Sequence, residues 1–348
     1  MTTKIAPPPP KRAPMIDGWY VARDGDKTFP SGPMERLAYY ARLAPSSHNS
    51  QPWRFVAGAG EIDVFADMER WMPAIDPDKR ELHISLGCAI EAIRIAADHA
   101  GWGSSVAYFP VEHDQTLVAR VNVALQGPKR DMSASDLLPR ILSRRTSHNA
   151  FDPGKPVSDA DRKRLYACFQ AGDVSLHFLQ ERAGLDALSV SGARADAALF
   201  ARPGYREELG RYVGGSHLGG SWLASRLGEL AFGHLPVAAQ VRKEDVKRLA
   251  SAPLVALLST RKDTRIDQVQ AGEAYMRIAL VAEAHDVRVQ PVSQLLEVEE
   301  ARHETAQIFQ LGDRVAQHLF RLGHAEPDES RRPRRALDEM VIRGSASG

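Results

Sequence analysis

The sequence predicts an α+β fold made of two related halves within one compact unit, on three observations. Strand-like stretches come in pairs around short turns, two helices rich in small residues lie at comparable depths in the chain, and near residue 141 the run of loop, helix and strand begins again. A chain of 348 residues is long enough for two ordinary domains or one large one with an ample core.

The elements follow in order. "PMERLAYYARLA" puts Leu37, Tyr40 and Leu43 on one helical face, and "APSS" ends it. "WRFVAGAGEIDVFAD" is two strands around a Gly-Ala-Gly turn, with no helix after the glycines to make them a dinucleotide loop. "ISLGCAIEAIRIAADHAGW" is a helix whose face at 89, 92, 93, 96, 97 and 100 is almost all alanine, which marks a central helix packed closely on its neighbours. "SVAYFPV" and "TLVARVNVAL" follow as strands, the second with period-two alternation. After residue 141, Ser158 stands three residues before Asp161 as a helix N-cap; "VSLHFL" and "APLVALLST" are strands. "AGEAYMRIALVAEAHDVRV" repeats the character of the earlier central helix. Placing Gly87 over Gly272 aligns Ala89 with Ala274, Ile93 with Ile278 and Ala97 with Ala282. The organisation expected is a proline-rich tail over 1–17, a first half over 18–140 and a second over 141–348, with a glycine-rich, mostly helical insertion at about 190–240.

Composition removes several functions. A formal net charge of +1 provides no field to draw the chain to nucleic acid or to a membrane surface. No apolar run approaches the roughly 18 residues that span a bilayer. Cys88 and Cys168 lack CxxC spacing, so a reducing cytoplasm is the expected compartment. "GGSHLGGSW" has Leu218 where a serine nucleophile elbow needs glycine, and the twelve histidines show no HExxH spacing. There is no GxxxxGK[ST] phosphate loop.

Three polar clusters remain. "PSSHNSQPW" carries far more hydrogen-bonding capacity than a turn requires. "RRTSHN" at 144–149 joins two guanidiniums, two hydroxyls, an imidazole and an amide, and "SRRPRRALDEMV" puts four arginines in five residues. Each reads equally as a solvated loop, linker or basic tail. Arginine forks and hydroxyls are also what holds a phosphate monoester, by charge-assisted and partly bidentate hydrogen bonds.

Here the sequence resembles a known family. "ARLAPSSHNSQPWRF" is similar to the helix-and-loop signature of the nitroreductase family of FMN enzymes, and "RRTSHNAFDPGKPVS" to that family's "RRSxRxF" opening. "RLGHAEPDESRRPRRALDEMV" resembles its closing segment and "RVQPVSQ" its proline-containing strand beside the flavin. The resemblance covers most of residues 34–345. The first half keeps "PSSHN" without the arginine opening, and the second keeps "RRT" without "PSSxNxQPW"; the chain therefore resembles the fused, twin (Acg-type) form, a pseudo-dimer with one FMN site.

That resemblance implies a nitroreductase-like fold of antiparallel-rich sheets flanked by helices, and it implies site residues. Arg144, Thr146 and His148 would hold phosphate and ribityl, with Arg332 and Arg334 completing the clamp. Pro45, Ser46, Ser47, Asn49 and Gln51 would face the flavin from the other half; Pro291, Ser293 and Gln294 would line the ring, and Lys247 would reach its N1/O2 edge. Where the family often has a second basic residue, this chain has His148. The implied activity is reduction of a nitroaromatic, quinone or other small oxidant by NAD(P)H, in a monomer that is a pseudo-dimer or in a weak homodimer. The alternative is a flavin-binding or flavin-sequestering protein whose insertion covers the FMN, with little NAD(P)H turnover. A desaturase, dehalogenase or flavin-destroying enzyme is a third use of the same fold.

Overall fold

The computed structural model describes residues 15–16, 18–20, 29–125, 137–169, 171–214, 249, 251–326 and 333–343. A short hairpin of β1 (Met15–Ile16) and β2 (Trp19–Tyr20) opens the described chain, so a strand begins within the stretch read from sequence as tail. Next come α1 (Pro33–Ala41), β3 (Trp53–Ala57), β4 (Glu61–Ala66), the long α2 (Arg80–Ala100), β5 (Gly103–Tyr108) and β6 (Leu117–Ala124). Then α3 (Leu138–Ser143) leads to α4 (Asp159–Ala167), β7 (Ser175–Leu179), α5 (Arg182–Ala201) and α6 (Tyr205–Gly214). The chain continues with β8 (Leu254–Thr260), α7 (Arg265–Ala284), β9 (Arg288–Pro291), α8 (Glu299–Ile308), β10 (Val315–Gly323) and β11 (Val341–Arg343).

Local chemistry sets the boundaries. Ser158 caps α4 by accepting from the Asp161 N–H at 3.1 Å, as its position in the sequence predicts, and Thr264 with Asp267 forms a capping box on α7. Helix α2 stops at Gly101, whose φ of 80° is the left-handed cap that glycine adopts without strain. The Gly-Ala-Gly stretch is the turn between β3 and β4, closed by Gly58 N–H on the Glu61 carbonyl at 2.9 Å.

Both sheets share one plan. The strand orders are β11-β3-β4-β6-β5 and β7-β8-β10-β9. If β11 is set aside, each runs first, second, fourth, third in chain order, antiparallel throughout, with the long helix between the second and third strands. Strand β11 pairs parallel with β3, Val341 opposite Phe55, so residues from the far end of the described chain complete the first sheet. All seven residues of β8 are buried because both its faces are covered: Leu254, Ala256 and Leu258 join the main core, while Val255 and Leu257 join a second cluster with Leu185 and Leu188 of α5. The main core runs continuously from Leu37 and Trp53 to Leu254 and Phe320. Among the described residues no helix is long and apolar enough to cross a membrane.

Helices α2 and α7 pack backbone against backbone where Gly87 and Gly272 meet. A Cβ on Gly87 would lie 1.9 Å from the Val269 carbonyl oxygen, and one on Gly272 would lie 2.1 Å from that of Ile84. Each of these carbonyls stands three residues before the opposing glycine, so the contact is reciprocal, as in a two-fold interface. His83 and Gln268, each four residues before its glycine, bond each other at 2.7 Å. Buried charges close the far end: Arg277 Nε donates to Glu91 at 2.7 Å, Arg94 to Glu273 at 3.1 Å, and the Tyr108 hydroxyl to Glu273 at 2.6 Å.

Gly87→Ala forces the helices apart, and a destabilisation of about 1–3 kcal/mol is expected from this overpacking. Gly60→Ala, whose Cβ would meet only the Val123 carbonyl at 3.6 Å, is the control. Denaturant midpoints that fall equally for both variants overturn the close approach as the cause.

Candidate functional site

The polar loop after α1 is held in an unusual shape. His48, Asn49 and Gln51 have φ of 48°, 55° and 52°, the left-handed region that residues with a Cβ enter at a cost of roughly 1–2 kcal/mol each. Hydrogen bonds compensate. The Gln51 N–H donates to Ser46 Oγ at 2.9 Å, the Ser47 N–H to Ser85 Oγ of α2 at 3.2 Å, and Arg70 to the Ser50 carbonyl at 2.7 Å. Much of the remaining polarity is bonded to the strap 333–335. Asn49 donates to the Pro333 carbonyl at 3.0 Å and accepts from Arg334 at 2.7 Å; the Gln51 side chain accepts the Arg335 N–H at 2.8 Å. Arg335 then reaches Asp67 at 3.2 Å and the Gln51 carbonyl at 3.1 Å. Arg334 is thus engaged by the first-half loop, also donating to the Leu43 carbonyl at 3.3 Å.

The arginine opening lies along β9. Thr146 forms a parallel bridge with Val289, and the Ser147 N–H donates to the Val289 carbonyl at 3.1 Å. Arg144 points inward and is only 6 % exposed, its one side-chain bond among the described residues a long 3.4 Å contact with Thr146 Oγ1. Its Nε has no hydrogen-bond partner among the described residues. Burial pushes the Arg144 guanidinium down from its ordinary value, with Tyr275, Cys88 and Glu283 nearby pulling the other way. His148 meets Gln290 at 3.4 Å. Arg321, 1 % exposed, spans the same region: it donates to Gln290 at 2.6 Å and to the Asn149 carbonyl at 2.8 Å, and lies 4.1 Å from the centre of the Phe151 ring.

Pro291 ends β9, and the short helical turn Ser293–Leu295 follows, fixed by the Val292 N–H on the Leu319 carbonyl at 2.8 Å. Ser293 of the turn and His48 of the polar loop both lie near Glu81 of α2. Burial pushes the Glu81 carboxyl up, but His318, Ser293 and His48 outweigh it and leave it below the ordinary value. The loop of the first half, α2 and the turn of the second half therefore converge on one buried carboxylate. Gln294, next in the turn, is half-buried.

No family model matches the chain. Among curated proteins, "Putative NAD(P)H nitroreductase" of Mycobacterium tuberculosis is 28% identical over 315 residues, covering 86% of this chain and 88% of the relative. A second protein of that organism, also named as an NAD(P)H nitroreductase and called acg, is 26% identical over 318 residues, covering 85% of this chain and 91% of the relative. Both matches extend across the two sheets. Over most of its length the chain is similar to proteins named as nitroreductases. Among solved structures, the FMN-dependent nitroreductase NfnB from Mycobacterium smegmatis in complex with NADPH superposes with a TM-score of 0.43 at 19% identity, over 61% of this chain and 99% of that one.

Set beside the residues that the nitroreductase resemblance implies, the structure brings Thr146 and His148 to β9 beside Gln290 and leads directly from there to Pro291 and Ser293. It gathers Ser46, Ser47, Asn49, Gln51 and Arg334 into a second group, with Pro45 half-buried at its edge. Lys247, Arg332 and the glycine-rich centre of the insertion lie outside the described residues. Sequence reasoning missed Glu81, His318, Tyr275, Arg321 and the strap residue Arg335. An acid in the first turn of a helix is ordinary, and nothing in "RELHIS" announces burial.

Asp76, which accepts the N–H groups of Glu81 and Leu82 at 3.0 and 2.9 Å, is pushed up to about 8 by burial first and then by the Glu81 charge. A raised acid contributes its full stability below the ordinary value of 3.8 and loses it as pH rises through about 8. Unfolding free energy is expected to decline over that window in the wild type. Asp76→Asn keeps an acceptor for only one of the two N–H groups, which lowers stability at every pH, but it removes the titrating carboxyl and should flatten the decline; a profile parallel to the wild type overturns the assignment.

Proposed function

We propose that the protein is an FMN-dependent oxidoreductase that uses NAD(P)H to reduce a small acceptor such as a quinone or nitroaromatic, with Arg144 anchoring the cofactor phosphate. One observation carries the reading: a guanidinium 6 % exposed, with an orphaned Nε and no ion pair to a carboxylate among the described residues. Burying a cation without a counter-charge is costly, and a phosphate dianion supplies that charge with the planar geometry an arginine fork matches. The residues present therefore fit the group. The names of the relatives, with NAD(P)H in them, support the same reading.

Thr146 and His148 would hold the ribityl chain, with Pro291, Ser293 and Gln294 along the ring. Pro45, Ser46, Ser47, Asn49 and Gln51 would approach from the other half, with Arg332, Arg334 and Lys247 completing the set as the resemblance implies. FMN supplies the redox chemistry, and the chain supplies position and exclusion of water. The two halves form a pseudo-dimer with one site, so about one FMN per polypeptide is expected.

The sequestering alternative draws support from how the insertion docks. Arg202 donates to the Ala74 carbonyl at 3.0 Å and the Glu297 carbonyl at 2.9 Å. Glu208 accepts from Ala74 and Ile75 at 2.9 and 3.1 Å, and Met72 and Ile75 pack with Leu199, Phe200, Tyr205 and Leu209. Helices α5 and α6 are thus fastened to the segment before α2 and to the turn that follows Ser293.

Arg144→Ala should weaken FMN binding roughly ten- to a hundredfold, since a charge-assisted hydrogen bond contributes about 1.5–3 kcal/mol, and should leave riboflavin almost untouched. Equal losses for the two flavins overturn the phosphate role. Anaerobic NADPH or NADH should bleach the flavin of the wild type. Bleaching by dithionite but by neither nucleotide favours sequestration instead.

A further inference from the structure

His318, on β10, is 2 % exposed, and neither of its ring nitrogens has a hydrogen-bond partner among the described residues. Its Nδ1 stands 3.8 Å from Oε1 of Glu81, itself 4 % exposed and likewise without a bond at that oxygen. The imidazole packs edge-on to Tyr275 of α7, ring centres 4.3 Å apart, and the Arg144 charge acts on that tyrosine. A buried carboxylate facing a buried imidazole needs a proton between them, because an unpaired charge in so dry a place is costly. Ser293, in the turn that on the reading above borders the flavin ring, lies close enough to the same carboxylate to lower it.

We propose that Glu81 and His318 hold one proton between the two halves and that the Ser293 hydroxyl passes it into the site when the acceptor is reduced. This rests on the flavin reading. The balance is simple: NAD(P)H provides a hydride, which carries both electrons to the acceptor by way of the cofactor. A quinone that takes that hydride still needs one proton on its second oxygen. The Ser293 O–H gives that proton and is restored from the Glu81–His318 pair, which regains its own from solvent, so NAD(P)H, quinone and one proton become NAD(P)+ and hydroquinone.

The surroundings keep the charge where the relay needs it. The fields of His48 from the polar loop, Asp76 before α2 and Glu297 after the turn act together with that of Glu81; Asp196 of α5 and Arg202 just after it act on Glu297, and Arg144 acts on Tyr275. Burial, with the charge of Glu81, holds Asp76 and Glu297 towards their neutral forms. Glu81 is left as the ionised member opposite His318.

Two measurements test this. In the flavin-free protein, histidine labelled with 13C at Cε1 and assigned through His318→Asn reports the protonation of His318. Glu81→Gln should lower its protonated-to-neutral ratio at fixed pH by about tenfold or more. In the FMN-loaded protein under single-turnover conditions, oxidation by a water-soluble quinone should slow as pH rises. In Ser293→Ala and Glu81→Gln it should be slower and lose that pH dependence, with the oxidative half-reaction suffering more than the reductive one. An unshifted His318 in Glu81→Gln, or a quinone step in Ser293→Ala with the wild-type rate and pH profile, overturns the relay. Failure of the wild type to bind FMN overturns the flavin reading, and the relay with it, whatever the histidine titration shows.

Discussion

The close approach of α2 and α7 is the constraint on which the rest of this molecule depends. With no side chain between the helices at Gly87 and Gly272, each backbone lies against the other, and even the Cys88 thiol finds its partner on the opposite helix, the Gly272 carbonyl at 3.3 Å. Each long helix packs on its own sheet, α2 on β4, β5 and β6 and α7 on β8, β9 and β10, so the helix pair joins the two sheets. A single continuous core across both sheets follows from that arrangement. So does the placement of charge: the approach leaves room at the ends of the helix pair, and there Glu91, Glu273, Arg94 and Arg277 neutralise one another at one end while Glu81 meets His318 at the other.

Buried charges around the helix pair differ in how they are partnered. Around Glu273 the acids and bases are paired at hydrogen-bond distance, with a tyrosine hydroxyl added. Around Arg144 the cation has a threonine hydroxyl at 3.4 Å and an orphaned Nε. Buried polar atoms in folded proteins are almost always satisfied, and exceptions point to places where something else binds. The strained loop belongs to the same region. Three left-handed residues within four positions persist because α2, Arg70 and the strap together determine the backbone there.

Much of this was legible in the sequence, and the reasons differ from element to element. The strand pairs and the alanine-rich helices follow from period and turn chemistry, and setting Gly87 over Gly272 picked out the two residues that meet. Their reciprocal contact was not legible, because small residues announce a close neighbour without saying which. "PSSHNSQPW" was rightly singled out as too polar for a turn, yet the strap accounts for much of that polarity, through Asn49 and Gln51. Of the arginines in "SRRPRR", Arg335 was passed over although it ties Gln51 to Asp67, since one arginine in a basic run looks like the next. Glu81 and His318 lie 237 positions apart in the sequence and meet only because β10 packs on α7, which packs in turn on α2. No local pattern encodes such a meeting.

The strap and β11 also impose an order in time. A ribosome releases α1, the polar loop and β3 long before residues 333–343, so the first sheet waits with an open edge and the loop without the carbonyls and guanidiniums that hold Asn49 and Gln51. The second sheet depends on no such latecomer, since β7 to β10 are contiguous in the chain. The half made first is therefore the half finished last, and until the strap arrives the nascent chain presents an unpaired β3, the kind of edge that chaperones shield and that other chains can add to.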